Sequence, residues 1–317
     1  ERNELDQAQT LVDRYLPVAG GFGFSDEVMC GYLVRAGLLS SRGDLPASLA
    51  ALDEARSVGF DIGLDRIVQH ADAEKIRLLL QHGNFERAFE VARTGRFLGD
   101  NRSYSPKLNA TTTDELAAKV IVRLALGQGE VGDALSLIQR WRQFCIHRNA
   151  TRHLLSWNLL LAQAQLIAGD GRVALRSLRE ALVAAAEGRN LRIFLSEGPR
   201  IYELLAKGYG SGLKTKHPVD MLAYELLGLF ESRPRAPTVD DPKAIGDDSL
   251  GVDGKMTGRE IEILACVASG LRNKEIGDRL GLTEGSVKWY MQRIYDKVGT
   301  RRRSLAVERA RQFGFLS

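Results

Sequence analysis

GDLPASLAALDEA, Gly43 to Ala55, carries a turn glycine, a small residue five positions on at Ser48, and an apolar residue four later at Leu52. The same arrangement returns at Gly83 with Ala88 and Ala92, at Gly129 with Ala134 and Ile138, and at Gly169 with Ala174 and Leu178. The starts are separated by 40, 46 and 40 residues. Apolar-periodic stretches such as Ala73 to Gln81 and Trp157 to Ala168 precede the later ones, so the unit reads as a helical hairpin used repeatedly. Asn3-Glu4-Leu5-Asp6-Gln7-Ala8 fits the same register, which sets Glu1 midway through a hairpin and suggests a piece of a longer protein.

A lone hairpin cannot bury its own apolar face, whereas stacked neighbours build one continuous core and a curved superhelix. The unit resembles the tetratricopeptide repeat, stretched from its usual length to about 40 residues. Ser48, Ala88, Ala134 and Ala174 are then expected where paired helices touch. Trp141, Trp157 and Arg152 are residue types that line concave surfaces of such arrays, with core packing as the alternative. GGFGF, Gly20 to Phe24, follows a helical pattern and not a strand, so it reads as an interhelix turn and not a dinucleotide loop.

Beyond the repeats, SRPRAPTVDDPKAIGDDSLGVDGK at 232–255 has three prolines, scattered charge and no apolar period. It reads as a linker with an end-to-end distance of about 25–30 Å if flexible. Three segments follow: a helical-repeat domain over 1–231 for effector sensing or oligomerisation, the linker over 232–255, and a compact domain over 256–317.

The last domain contains NKEIGDRLGLTEGSVKWYMQRIYDKVG, Asn273 to Gly299. A first helix is predicted from about Asn273 to Leu280, with Gly277 small where two helices cross. Gly281 supplies the turn and Thr283 the N-cap of a helix beginning near Glu284. In that helix Val287, Met291, Ile294 and Val298 form a core stripe. The opposite face carries Glu284, Gly285, Lys288, Trp289, Gln292 and Asp296, as a helix entering a DNA major groove requires. Lys288 can donate to guanine O6 or N7, Gln292 can pair with adenine or a phosphate, and Trp289 offers apolar surface to a thymine methyl. Expected phosphate partners are Asn273, Lys274, Thr283, Ser286, Tyr290, Arg293, Lys297 and the triplet Arg301, Arg302 and Arg303. Residues 256–317 hold 12 Lys and Arg against 7 Asp and Glu, a net of +5, which leaves the rest of the chain at −1. Basic charge is concentrated where phosphates would lie.

From Met256 to Leu316 the segment resembles the four-helix DNA-binding domain of LuxR-type regulators. The likeness is carried by Thr257, Arg259 and Glu260, Ser269-Gly270-Leu271, Asn273-Lys274-Glu275-Ile276, Ser286-Val287-Lys288, Ile294-Tyr295 and Lys297-Val298-Gly299. It implies base reading at Lys288, Trp289 and Gln292 and a dimerisation surface on a fourth helix over about Arg303 to Phe313. The chain departs from the family pattern at Tyr290, often His, and at Gln292, commonly basic. Repeats followed by this domain are similar to the C-terminal part of MalT-like regulators, in which an upstream nucleotide-binding module and the repeats sense an inducer before oligomerisation and activation.

The expected fold is therefore all-α: a tetratricopeptide-like superhelix followed by a four-helix helix-turn-helix domain. The expected function is a DNA-binding transcriptional regulator, an activator by the resemblance. Its expected partners are double-stranded DNA, a small-molecule inducer or protein on the repeats, RNA polymerase, and a second copy on DNA. The alternative is a repeat scaffold with a secondary DNA-binding role.

No apolar run reaches the roughly 18–20 residues of a membrane span, and no secretory pattern opens the chain, so a bacterial cytoplasmic, nucleoid-associated protein is expected. Cys30, Cys145 and Cys266 sit apart in helical contexts and read as reduced thiols. Cys145, His147 and His153 have poor metal-ligand spacing, since i and i+2 point to different sides of a helix. No metal, catalytic arrangement or GxxxxGK[ST] loop is found, so the chain is expected to be no enzyme and to hold no cofactor, a nucleotide belonging to an upstream domain if anywhere.

Overall fold

The computed structural model describes residues 2–22, 25–98, 104–210, 217–232, 258–280, 302–315 and the positions 287, 290, 291, 294, 295, 298 and 300. They form fifteen helices and no strand among the described residues. The chain divides into two compact units, Glu1–Pro234 and Arg235–Ser317. Most of the predicted linker, 233–255, lies outside the described residues.

The first unit runs α1 (Leu5–Phe22), α2 (Ser25–Ser41), α3 (Leu45–Asp61), α4 (Asp65–Gln81), α5 (Phe85–Thr94), α6 (Thr112–Gln128), α7 (Val131–His147), α8 (Thr151–Ile167), α9 (Gly171–Ala186), α10 (Leu191–Ser196), α11 (Pro199–Tyr209) and α12 (Pro218–Glu231). From α1 to α9 each helix packs on the next, as α11 does on α12, and α2, α4, α6, α8 and α11 also pack along one another as a single layer. The remaining members of the hairpins form the other layer.

The repeat is finer than its glycines suggest. Backbone φ is positive at Asn3 (65°), Gly43 (82°), Gly63 (69°), Gly83 (72°), Gly129 (76°), Asn149 (52°), Gly169 (90°) and Arg189 (47°). From Gly43 on, the residue after each of these donates its N–H to the carbonyl five positions back: Asp44 to Leu39 at 3.1 Å, Leu64 to Gly59 at 2.8 Å, Asn84 to Leu79 at 2.8 Å, and likewise at Glu130, Ala150, Asp170 and Asn190. This is a Schellman closure, which satisfies carbonyls that a helix end otherwise leaves open. A 17-residue helix plus its turn therefore makes a step of about 20 residues, and two steps make the hairpin. GGFGF is split: Gly20 to Phe22 end α1, and Gly23 and Phe24 lie outside the described residues.

The 46-residue step has a local cause. Helix α5 is only 10 residues long and closes early, with Arg96 at φ 58° and the Phe97 N–H on the Ala92 carbonyl at 2.9 Å. Phe97 is buried, and the Tyr104 carbonyl accepts the Trp141 indole N–H at 2.7 Å, which ties the irregular stretch to α7. Helix α6 restarts the array with a capping box in which Thr111 and Asp114 satisfy each other's backbone N–H groups.

The expected small residues lie in the core. Ala88 and Ala174 are fully buried, Ala134 nearly so, and the buried Ser48 hydroxyl donates to the Ala36 carbonyl at 2.7 Å. Trp141 and Trp157 stack with ring centroids 5.7 Å apart and planes 10° apart, both buried. They do not line a concave surface, because shape and burial make them the centre of the apolar cluster between α6, α7 and α8. Arg152 is exposed at the start of α8. Burial raises the thiol of Cys145 to about 11, so it stays protonated at neutral pH. Cys266 is also buried, Cys30 is exposed, and no group of three His, Cys, Asp or Glu residues able to hold a metal occurs among the described residues. No described helix is long and apolar enough to cross a membrane.

The second unit contains α13 (Gly258–Ala268), α14 (Asn273–Leu280) and α15 (Arg303–Gln312), with helical backbone also at Val287, Tyr290, Met291, Ile294, Tyr295 and Val298. Its core joins Ile263, Leu264, Val267 and Ile276 to Val287, Tyr290, Met291, Ile294 and Val298, and to Ala306 and Ala310 of α15.

Candidate nucleic-acid interface

Helix α13 ends at Gly270, whose φ of 82° lets Leu271 N–H return to the Cys266 carbonyl at 3.2 Å. Two residues later α14 begins. The Arg272 N–H, which has no partner inside the helix, is taken by the Glu275 carboxylate at 2.6 Å, half of a capping box. Gly277 is buried, as a close helix crossing requires. The next helix follows after 281–286, which lie outside the described residues.

Val287, Met291, Ile294 and Val298 are each no more than 3% exposed, so the predicted core stripe is the observed one. Tyr290 joins it. Expected as a phosphate partner, it is only 5% exposed and its hydroxyl oxygen is buried, so its role is corrected to packing. The physical reason is the helical period. Position 290 lies three residues after 287 and four before 294, within the core-facing arc of a helix with 3.6 residues per turn.

The other expected site residues divide in two. Lys288, Trp289, Gln292, Arg293, Lys297, Thr283, Ser286 and Arg301, together with Gly281, Glu284, Gly285 and Asp296, lie outside the described residues. Among the described ones, Lys274 and Arg302 are exposed, the former in the first turn of α14 and the latter at the N-terminal boundary of α15. Asn273 and Arg303 meet each other. The Arg303 guanidinium donates to the Asn273 side-chain oxygen at 2.8 Å and also to the Leu271 carbonyl, fastening the start of α15 to the turn that launches α14. Arg303 is thus partly committed within the fold, and its first role is to hold α14 in place.

A second clamp was not foreseen from the sequence. Arg309 of α15 donates to the Val298 carbonyl at 2.8 Å, at the C-terminal end of the core stripe, where a cation also complements the helix dipole. Its signal in the sequence is faint, a basic residue on a helix already rich in arginine. Together Arg303 and Arg309 let α15 brace both helices of the pair.

Comparison with known proteins agrees with this geometry. The MalT-like TPR region matches residues 1–209, and the model of bacterial regulatory proteins of the luxR family matches residues 255–310. The chain is 24% identical over 321 residues to the HTH-type transcriptional regulator AlkS of Pseudomonas putida, with 98% of this chain and 33% of that protein covered. Over 61 residues it is 43% identical to the HTH-type transcriptional regulator AlkS of Alcanivorax borkumensis, covering 19% of this chain and 7% of that protein. Over 121 residues it is 32% identical to the probable transcriptional regulatory protein SgaR of Hyphomicrobium methylovorum, covering 37% of this chain and 55% of that protein. The chain thus spans about a third of the regulator it matches from end to end. With repeats closed by the same turn over the first unit and a braced helix-turn-helix in the second, the chain belongs to the LuxR-type regulators that carry a MalT-like TPR region.

Proposed function

We propose that this chain is the effector-responsive and DNA-binding part of a transcriptional regulator, acting in the bacterial cytoplasm at the nucleoid and most simply as an activator. The carrying observation is the buried stripe Val287, Tyr290, Met291, Ile294 and Val298 in a helix that follows α14. On a period of 3.6 residues that stripe leaves positions 288, 289 and 292 to the opposite face, the one a major groove would receive. Lys288, Trp289 and Gln292 are the proposed base readers. Lys274, Thr283, Ser286, Arg293, Lys297, Arg301 and Arg302 are the proposed phosphate partners, with Asn273 and Arg303 contributing through the clamp between them. Leu305 of α15 and Phe313, which follows its last residue, are 38% and 60% exposed, which favours this helix as the contact to a second copy on DNA. The repeats would bind the inducer or protein partner, and RNA polymerase would be the downstream target.

Base readers and phosphate partners fail differently. Lys288→Ala should cost about 1–3 kcal/mol of discrimination at one or two base pairs, measured by competition among single-base variants of a selected site. Unchanged discrimination would remove Lys288 from that role. Arg302→Ala should instead weaken all sequences alike and flatten the log-log salt dependence by about 1. A loss confined to one sequence would contradict the assignment.

A further inference from the structure

The register of the repeats calls for a 17-residue helix after the turn at Arg189, as follows the turns at Gly43, Gly63 and Asn149. Instead α10 stops after six residues, and α11 starts at Pro199. Proline lacks the N–H that a continuous helix would need there, and Gly198 takes φ 83° and ψ −158°, a region essentially open to glycine alone. The interruption frees one backbone carbonyl and turns one carboxylate inward.

Both are captured by the layer of α4, α6 and α8. Arg77 and Gln81 of α4 donate to the Ser196 carbonyl. Arg123 of α6 reaches one Glu197 oxygen at 2.5 Å, and Gln163 of α8 donates to the other at 3.0 Å. Nearby, Arg192 of α10 donates to the Gly37 carbonyl of α2 at 3.2 Å and to the Asn3 side chain at 3.4 Å. Adjoining pairs are Glu74 with Arg77 and Glu115 with Lys119. The ties to the Ser196 carbonyl and those of Arg192 join groups more than 100 residues apart in the chain, and those to Glu197 join groups 74 and 34 apart.

The seam is polar while everything beside it is apolar. The cluster built from α2 to α6 and the cluster built from α8 to α12 share no residue, and the apolar contact between them passes through the Trp141–Trp157 cluster of α6, α7 and α8. Four cations, Arg77, Lys119, Arg123 and Arg192, face three carboxylates, Glu74, Glu115 and Glu197. Burial alone would raise the Glu74 carboxyl, but Arg77, with Arg123 and Arg192 behind it, holds it below its usual range. Such ion pairs give little net stability, because desolvation offsets their attraction. The Arg123 Nε is buried without an acceptor, which weakens the closed state further.

We propose that this seam is a latch: the α10–α11 junction, hinged at Gly198, alternates between the closed state described here and an open state that uncovers the polar face of α4 and α6. In the open state water replaces each lost hydrogen bond, while the hairpins keep their own cores. The latch lies in the repeat unit to which the effector reading assigns a ligand, and it does not depend on that reading.

Hydrogen exchange on the full chain tests it, comparing the native sequence with E197Q and G198A. A Cβ at Gly198 would meet the Gln81 side-chain nitrogen at 2.9 Å and force a strained φ, so G198A should favour the open state without touching a charge. The native protein should exchange the amides of α10 and α11 about tenfold faster than those of α8 and α9, through an opening smaller than global unfolding. Both variants should speed α10 and α11 by about another tenfold and leave α8 and α9 unchanged. Equal protection of all four helices in the native protein would overturn the latch. So would a variant that speeds the whole unit uniformly, or no response to G198A.

Discussion

The repeat unit and the helix-turn-helix unit end their helices with one device and use the next helix for opposite ends. In both, a residue at positive φ is followed by an N–H that returns to the carbonyl five back, at Gly63 and Leu64 in the repeats and at Gly270 and Leu271 in the second unit. In the repeats the following helix is held on both sides. α8 buries ten consecutive residues from Leu155 to Ala164 between its neighbours. In the second unit the helix after the turn, α14, buries Ile276 and Gly277 and leaves Lys274, Glu275 and Arg279 exposed. The same turn chemistry thus makes a stacking element where both faces are covered and, in α14, an element with one exposed face where only one is. What separates the two outcomes is the neighbour, not the turn.

The largest effect that would break this comparison is in the stack. Trp157→Ala should remove about 4 kcal/mol, the usual cost of emptying a large buried aromatic site. Thermal unfolding of the first unit, followed by circular dichroism, would show it. A loss near zero would mean that the Trp141–Trp157 stack is not the centre of its cluster.

Next comes the carboxylate beneath that stack. Glu115 accepts the Trp157 indole N–H at 2.9 Å and pairs with Lys119 at 2.8 Å and with His153. Burial by itself would raise its carboxyl, but Lys119 and His153 outweigh that and leave it below the ordinary 4.5. A carboxyl depressed in the folded state contributes stability that is present above its unfolded value and is lost as pH falls through the folded one. Glu115→Gln should therefore cost about 3 kcal/mol at pH 7, with Lys119 left buried beside an uncharged amide. The gap to the native protein should narrow as pH drops below the carboxylate range. A gap independent of pH would assign the loss to shape and not to charge.

A smaller effect sharpens the claim of a shared turn. Gly63→Ala and Gly270→Ala meet no atom within 4 Å, so only backbone strain acts, and each should cost about 1–2 kcal/mol in its own unit. Gly132→Ala, also in open space but inside α7, should stabilise by a few tenths to about 1 kcal/mol. Separate denaturant titrations of the two units would report all three. If Gly63 and Gly270 tolerated alanine as Gly132 does, the common turn would carry no energetic meaning.

Much of this was legible in the sequence, for a physical reason. Gly43, Gly83, Gly129 and Gly169 announce their turns because glycine reaches positive φ without strain, and the small residues five positions on announce the packing. The intervening turns are less legible because Asn149 and Arg189 take the same conformation with side chains that give no such signal, and Gly63 has Val68 in place of a small residue five positions on, so the step reads as 40 and not 20. The bounds of α14 and the core stripe of the next helix follow from apolar spacing alone. Tyr290 was misread because a tyrosine suits a core arc and a phosphate contact equally well by type. The Arg303–Asn273 clamp and the seam at Glu197 join residues 30 or more positions apart, beyond the reach of local periodicity.

The central claim is the proposal that the second unit reads DNA through the helix that carries the buried stripe. Fluorescence anisotropy of the full chain on a selected site and on a randomised duplex pool, at several salt concentrations, tests it most directly. The account predicts a site bound on the order of a thousandfold tighter than the pool, with affinity for both falling steeply as salt rises. Equal affinity for site and pool at every salt concentration would contradict it.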